Sequence, residues 1–152
     1  MTAIEALKRA PLFKDFSEAG LAVLAELAHE KVVPAGSPLF VEDMVGESLF
    51  VLVSGSVRVT QRTPQGEREM ALLGAGEHLG ELGLLAKTVR LVSAVAATDC
   101  EVLELMRREF FKKAQDKPVT CLKMAAVIAG ELARRASDNK DALRELAGRK
   151  GE

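Results

Sequence analysis

HLGELGLLAKTVRLVSAV, the stretch from His78 to Val95, is the segment from which the rest of the chain can be read. Gly80 and Gly83 bracket Glu81 and Leu82, and Arg90 follows nine residues after the glutamate. Without a Cβ, Gly80 lets the backbone come close to a bound group. Glu81 to Leu85 is apolar enough for one helical turn. The first N–H groups of such a turn lack internal partners, and the helix dipole makes them suited to a phosphate. Arg90 supplies the matching cation, because its planar fork of donors fits a phosphodiester. Glu81, an acceptor only, suits a sugar hydroxyl. Together these residues read as a site for a nucleotide carrying one negative charge.

Composition narrows the setting. With 152 residues, 48% of them hydrophobic, and a net charge of −1, the chain has the material for one ordered domain with a real core. There is no basic excess to engage nucleic acid directly and no acidic tail to engage a basic partner. The N-terminal MTAIEALKRA lacks an apolar signal region, and no later stretch reaches membrane-spanning length. Two unpatterned cysteines, Cys100 and Cys121, do not form a disulfide framework and read as small buried residues, so a cytoplasmic location is expected. His29 and His78 are isolated, which argues against a metal site.

Upstream, Thr2 to Glu5 has the spacing of a capping box, and Ser17 offers an N-cap for a second helix with Leu21, Leu24, Ala25 and Ala28 on one face, ending near Glu30. From Lys31 to Met106 the texture changes to short apolar runs separated by Pro, Gly and Ser clusters. The runs are Leu39–Val41, Leu49–Val53, Val57–Thr60, Met70–Leu73, Leu91–Ala97 and Glu101–Leu105. Short strands with turn signals between them predict a sandwich, barrel or jelly roll. Helix returns at Met106 to Lys113, and Lys117-Pro118 breaks it. A last helix is predicted from about Val119 to Ala147, stopped by Gly148. Leu122, Ala125, Ala129, Leu132, Ala136, Asn139, Leu143 and Leu146 form an a/d seam along it, apolar except at Asn139.

These motifs resemble, in order, those of the cyclic nucleotide-binding domain family, typified by the catabolite activator protein and the regulatory subunits of cAMP-dependent protein kinase. Pro11-Leu12-Phe13 resembles the family's PLF motif, Gly36 to Phe40 its GxxLF turn, Leu49 to Val59 its central hairpin, and Gly80 to Leu85 with Arg90 its phosphate-binding cassette. The resemblance implies a mainly β domain: an antiparallel jelly roll (double-stranded β-helix), residues 31–106 with the cassette at 79–95. N-terminal helices (1–30) and long C-terminal helices (107–147) would flank it. It implies that Glu81 binds the ribose 2′-hydroxyl and Arg90 the cyclic phosphate. Backbone N–H groups of Gly80 and Leu82 and of the residues after Arg90, Leu91 and Val92, would complete the pocket. Members that bind ligand usually carry small residues after the arginine. Leu91 and Val92 depart from that, and a lost hydroxyl contact there costs about 1–3 kcal/mol.

The expected function is non-catalytic. A cytoplasmic regulatory domain takes cAMP or cGMP as its ligand, with no cofactor, and signals through its last helix to a partner protein as yet unspecified. With no helix-turn-helix after that helix, direct DNA binding is not expected, and neither is a membrane. A helix of about 29 residues is roughly 43 Å long. The rest of the domain spans about 35 Å. The seam should therefore overhang and bury itself in a parallel homodimer; the alternative is that Leu122 to Ala136 fold back on the barrel and the last two turns fray. Asn139 reads as a register-setting residue of that dimer, as a cap over the base implied by the resemblance, or as a chance polar position. Glu81 and Arg90 also admit a structural ion pair without ligand, which goes with the second reading, a ligand-free dimerisation module of the same fold. Arg134-Arg135 and Arg149-Lys150 read as solvated.

Overall fold

The computed structural model describes residues 1–150, apart from the side chains of Ala142, Leu143, Leu146, Arg149 and Lys150. The capping box forms: Thr2 Oγ1 accepts from the Glu5 N–H at 3.3 Å, and Glu5 Oε2 accepts from the Thr2 N–H at 3.0 Å, starting α1 (Ala3–Arg9). A 3-10 turn at Pro11–Phe13 leads to α2 (Glu18–Leu27), capped by Ser17. The helix stops at Leu27, three residues before the expected end near Glu30, because Ala28 turns extended and opens β1 (Ala28–Val33). That polar, mostly exposed strand has no alternation to announce it. It exists because β10 (Cys100–Met106) offers its edge along the whole register from Ala28↔Leu105 to Val33↔Cys100.

Between these lie β2 (Pro38–Phe40), β3 (Val45–Gly46), β4 (Ser48–Ser54), β5 (Val57–Thr63), β6 (Gly66–Leu73), β7 (His78–Leu79), the single-turn α3 (Leu82–Leu85), β8 (Thr88–Val89) and β9 (Ser93–Ala96). They pair antiparallel into two four-stranded sheets, β1-β10-β4-β7 and β2-β9-β5-β6, with β3 and β8 as a small separate pair. Helices hold more residues than strands, so the fold is mixed helix and sheet and not mainly β.

Strand β4 explains how the layers stack. Leu49 and Val51 point into a core shared with Leu7, Phe13, Leu24, Met124 and Ile128 of the helices, while Phe50 and Leu52 point into a second core between the sheets with Val57, Leu79, Ala94 and Val102. Period-2 side-chain direction assigns the two sets, and because both faces are covered the strand reads as a continuous apolar run.

After β10 come α4 (Arg107–Asp116), α5 (Pro118–Asp138) and α6 (Lys140–Lys150). The expected continuous helix from Val119 to Ala147 is thus interrupted. At Asn139 (φ −103°, ψ 18°) the backbone leaves the helix, and the side-chain Nδ2 donates to the Arg135 carbonyl at 2.7 Å. Asparagine competes in this way for the backbone it sits on, which makes it a poor interior helix residue. Helix α6 then runs through Gly148, which does not stop it. The predicted seam is also corrected in part. The buried face of α5 is Cys121, Met124 and Ile128, with Val127 and Leu132 packed beside it, whereas Leu122 is 72% exposed. Leu143 and Leu146 of the seam, and Arg149-Lys150, lie outside the described side chains.

Candidate functional site

The cassette is held by a buried arginine. Arg90 Nη2 donates to the Ser48 carbonyl at 2.9 Å and to Ser48 Oγ at 3.3 Å, and Nη1 donates to the Gly80 carbonyl at 3.3 Å. The guanidinium also stacks over the Phe40 ring, 4.3 Å from its centroid. Three glycines clear the space it fills. A Cβ on Gly46, Gly80 or Gly83 would lie 2.0, 2.5 or 2.7 Å from the Arg90 side chain. Gly80 is doubly constrained, since its φ of +75° is one that side-chain-bearing residues rarely adopt. Burial pulls the Arg90 pKa down from the usual guanidinium range, and the Glu104 and Glu81 carboxylates oppose that. The backbone of Arg90 is pinned as well: its N–H donates to Met44 O and its carbonyl accepts from the Asp43 N–H, both at 2.8 Å.

Glu81 does not pair with Arg90. Its carboxylate, 4% exposed, is met instead by Nη1 of Arg135, which reaches across from α5 and donates to Oε1. The structural Glu81–Arg90 pair considered from the sequence is therefore replaced by Glu81–Arg135; Arg135 is half exposed on its helix face, as expected, but also carries this partner. His78 stands on the other side, its Nε2 3.9 Å from Glu81 Oε2 and without a hydrogen-bond partner among the described residues. Burial pushes the His78 pKa below the ordinary imidazole value. Glu81, Glu131 and Glu77 pull it back up, and Arg135 adds to the lowering.

Above these groups opens a cleft of about 370 Å³. Gly80, Glu81, Leu82, Arg90, Leu91 and Val92, the residues expected at the site, all line it. Val59, Ala71 and Leu73 form one apolar wall, and Leu132 and Arg135 of α5 close the other side. Asn139 is elsewhere: it is exposed and caps α5 with its amide turned onto its own helix. Leu91 is 68% exposed, so its bulk projects outward, and its carbonyl accepts from Gln61 Nε2 at 3.3 Å. Ser93, the first hydroxyl after the arginine, accepts from the Glu42 N–H at 2.9 Å. The cleft thus offers one buried acceptor, one buried cation and apolar walls, a set that suits an anion carrying a hydroxyl and a flat apolar part.

Sequence reasoning missed Arg135 and Ser48. For Arg135 a signal exists, since Ile128, Leu132 and Arg135 recur at four and three residues, the spacing of one helix face. For Ser48, at the start of an apolar strand, none does.

Residues 30–117 match the family described as cyclic nucleotide-binding domain. The chain belongs to that family. Among its relatives, this cyclic nucleotide-binding domain is 33% identical over 127 residues to the cyclic AMP receptor protein of Thermus thermophilus, covering 83% of the chain and 59% of the relative. It shares 32% identity with a cyclic nucleotide-binding-like protein from Brucella abortus (TM-score 0.63), covering 72% of the chain and 95% of that structure. The Thermus thermophilus catabolite activator protein superposes with a TM-score of 0.79 at 32% identity, over 91% of the chain and 63% of that structure. The domain thus spans about three fifths of the receptor protein's length. No helix among the described residues is long and apolar enough to cross a membrane.

Proposed function

We propose that this domain is a non-catalytic sensor that binds cAMP or cGMP in the cleft and passes occupancy to α5. The two sheets are read as the two halves of a jelly roll, with the cassette between β7 and β9. The observation that carries the proposal is that Glu81 and Arg90, one interval apart in a single cassette, line the same cleft as Leu132 and Arg135 of α5. In this reading Glu81 accepts from the ribose hydroxyl, Arg90 neutralises the cyclic phosphate, and Gly80, Leu82, Leu91 and Val92 supply backbone. Leu132 and Arg135 replace Asn139 as the groups nearest the base. The exposed face of α5 around Leu122 then serves a homodimer, and an effector protein receives the signal. Titration calorimetry with cAMP and cGMP tests the proposal. Arg90→Ala should lose about 3–5 kcal/mol of binding, and equal affinities for the two proteins would refute it.

A specific observation favours a second reading, a ligand-free module of the same fold. Both terminal nitrogens of Arg90 donate to Ser48 and Gly80, leaving only its buried Nε without a partner among the described residues, and Glu81 accepts from Arg135, so most of the cassette's charged groups are met from within the protein. Absence of any heat with either nucleotide, in a folded protein, decides for it.

A further inference from the structure

We propose that Ser48 and Glu104 are positioning residues for Arg90, orienting and charge-balancing its guanidinium from the side away from the cleft. The inference rests on the nucleotide reading for its consequence, but its geometry stands without it. Ser48 Oγ donates to Glu104 Oε2 at 2.8 Å. A hydroxyl has a single proton. With that proton committed to Glu104, only lone pairs of Ser48 face Arg90 Nη2, which lies 3.3 Å from Oγ and 2.9 Å from the Ser48 carbonyl. The order of donors along Arg90, Ser48 and Glu104 is therefore fixed. The other oxygen of Glu104 meets Lys31 of β1.

Two further observations separate this arrangement from ordinary packing. Ser48 and Glu104 are both buried. Further along the same two strands, the positions facing between the sheets hold Phe50, Leu52, Cys100 and Val102. Apolar residues at 48 and 104 would avoid the cost of burying a hydroxyl and a carboxylate, so their presence needs a partner that uses them. Ser48 touches Arg90 directly, and Glu104, which also meets Lys31, reaches it through the Ser48 hydroxyl and through its charge. The space on this side of the guanidinium is also not filled by side chains: a cavity of about 270 Å³ opens there, lined by Gly46, Ser48, Arg90 and Glu104 among others. On that side the close backbone of Gly46 and the Phe40 ring limit where the guanidinium can sit, and the hydrogen bonds to Ser48 fix which way its donors point.

The test compares wild type with Ser48→Ala, Glu104→Gln and Ser48→Thr. Glu104→Gln keeps the shape and the acceptor and removes the charge; Ser48→Thr restores the hydroxyl. Affinities are measured for cAMP, its two phosphorothioate diastereomers and 2′-deoxy-cAMP. Ser48→Ala and Glu104→Gln should shrink the discrimination between diastereomers about threefold to tenfold. The penalty for removing the 2′-hydroxyl, read at Glu81, should stay as in wild type, and Ser48→Thr should recover the diastereomer ratio. An unchanged ratio, or both ratios moving together, overturns the proposal. In the protein without ligand, the ¹⁵N signal of Arg90 Nη2 should shift in Ser48→Ala, which loses the hydroxyl acceptor while the carbonyl of residue 48 still holds the group, and return towards wild type in Ser48→Thr; an unshifted signal also overturns the proposal. If wild type binds no cyclic nucleotide, the nucleotide reading fails and this second measurement alone decides the role of Ser48 and Glu104.

Discussion

Arg135→Ala is the perturbation that asks most of this structure. It removes the α5 partner of Glu81, whose carboxylate is 4% exposed, while Arg135 itself is about half exposed. Breaking a fully buried pair costs about 3–5 kcal/mol because a charge is stranded. An exposed pair is worth only about 0.2–1 kcal/mol. A half-exposed arginine on a buried carboxylate falls between these, at about 1.5–2.5 kcal/mol. For a domain of this size that lowers the melting temperature by roughly 4–8 °C. The chain has no Trp or Tyr, so urea unfolding is followed by far-UV circular dichroism. Glu81→Gln completes a double-mutant cycle, with an expected coupling of about 1 kcal/mol or more. A coupling within about 0.3 kcal/mol of zero would show that Arg135 does not hold Glu81 in solution.

Three other outcomes are expected. Gly83→Ala should destabilise by about 1–3 kcal/mol, because its Cβ would lie 2.7 Å from Arg90 Nη1 and 2.9 Å from the Ser48 carbonyl. Gly130→Ala, with open space around it, should instead gain about 0.5–1 kcal/mol, and equal effects in urea melts would be evidence against the cradle. Because the folded-state pKa of His78 is depressed, above the usual imidazole value both states hold it neutral and it contributes nothing. As pH falls through that value the unfolded chain protonates first, and stability drops with a slope of at most about 1.4 kcal/mol per pH unit until the folded pKa is passed. His78→Leu should flatten this part of the profile; an identical profile would place the imidazole in water. Leu122→Asp, at a 72% exposed position, should leave the melting temperature unchanged but convert the expected dimer to monomer in sedimentation equilibrium. A monomeric wild type at tens of micromolar would end the dimer proposal.

Much of the cassette was legible because its chemistry is local. Gly80, Glu81 and Arg90 sit within eleven residues, and each residue type suits one part of a nucleotide. The caps at Thr2 and Ser17 are local too, and both form. Strand β1 was not legible, since its sequence AHEKVV carries no alternation and its pairing depends on β10, from Val33↔Cys100 to Ala28↔Leu105, 67 to 77 residues along the chain. Nor was Arg135: an arginine on a helix reads as solvated until the fold brings a buried carboxylate to it. The break at Asn139 was written in the sequence but outweighed by the regular spacing of the leucines and alanines around it. Propensity lost to periodicity in the reading, while in the structure the asparagine amide bonded to its own backbone decides the matter.

Because Arg135 reaches Glu81, the last long helix and the cassette share a single carboxylate. Sharing of this kind is reciprocal. If a ligand that draws on Glu81 changes how firmly α5 is held, then whatever grips α5 must alter the affinity for that ligand by the same factor, in the same direction. The effector would then not be a passive reader of nucleotide. Its concentration sets the nucleotide level at which half the sites are filled, and a cell could retune the sensor by making more or less of the partner, with no residue of the cleft changed.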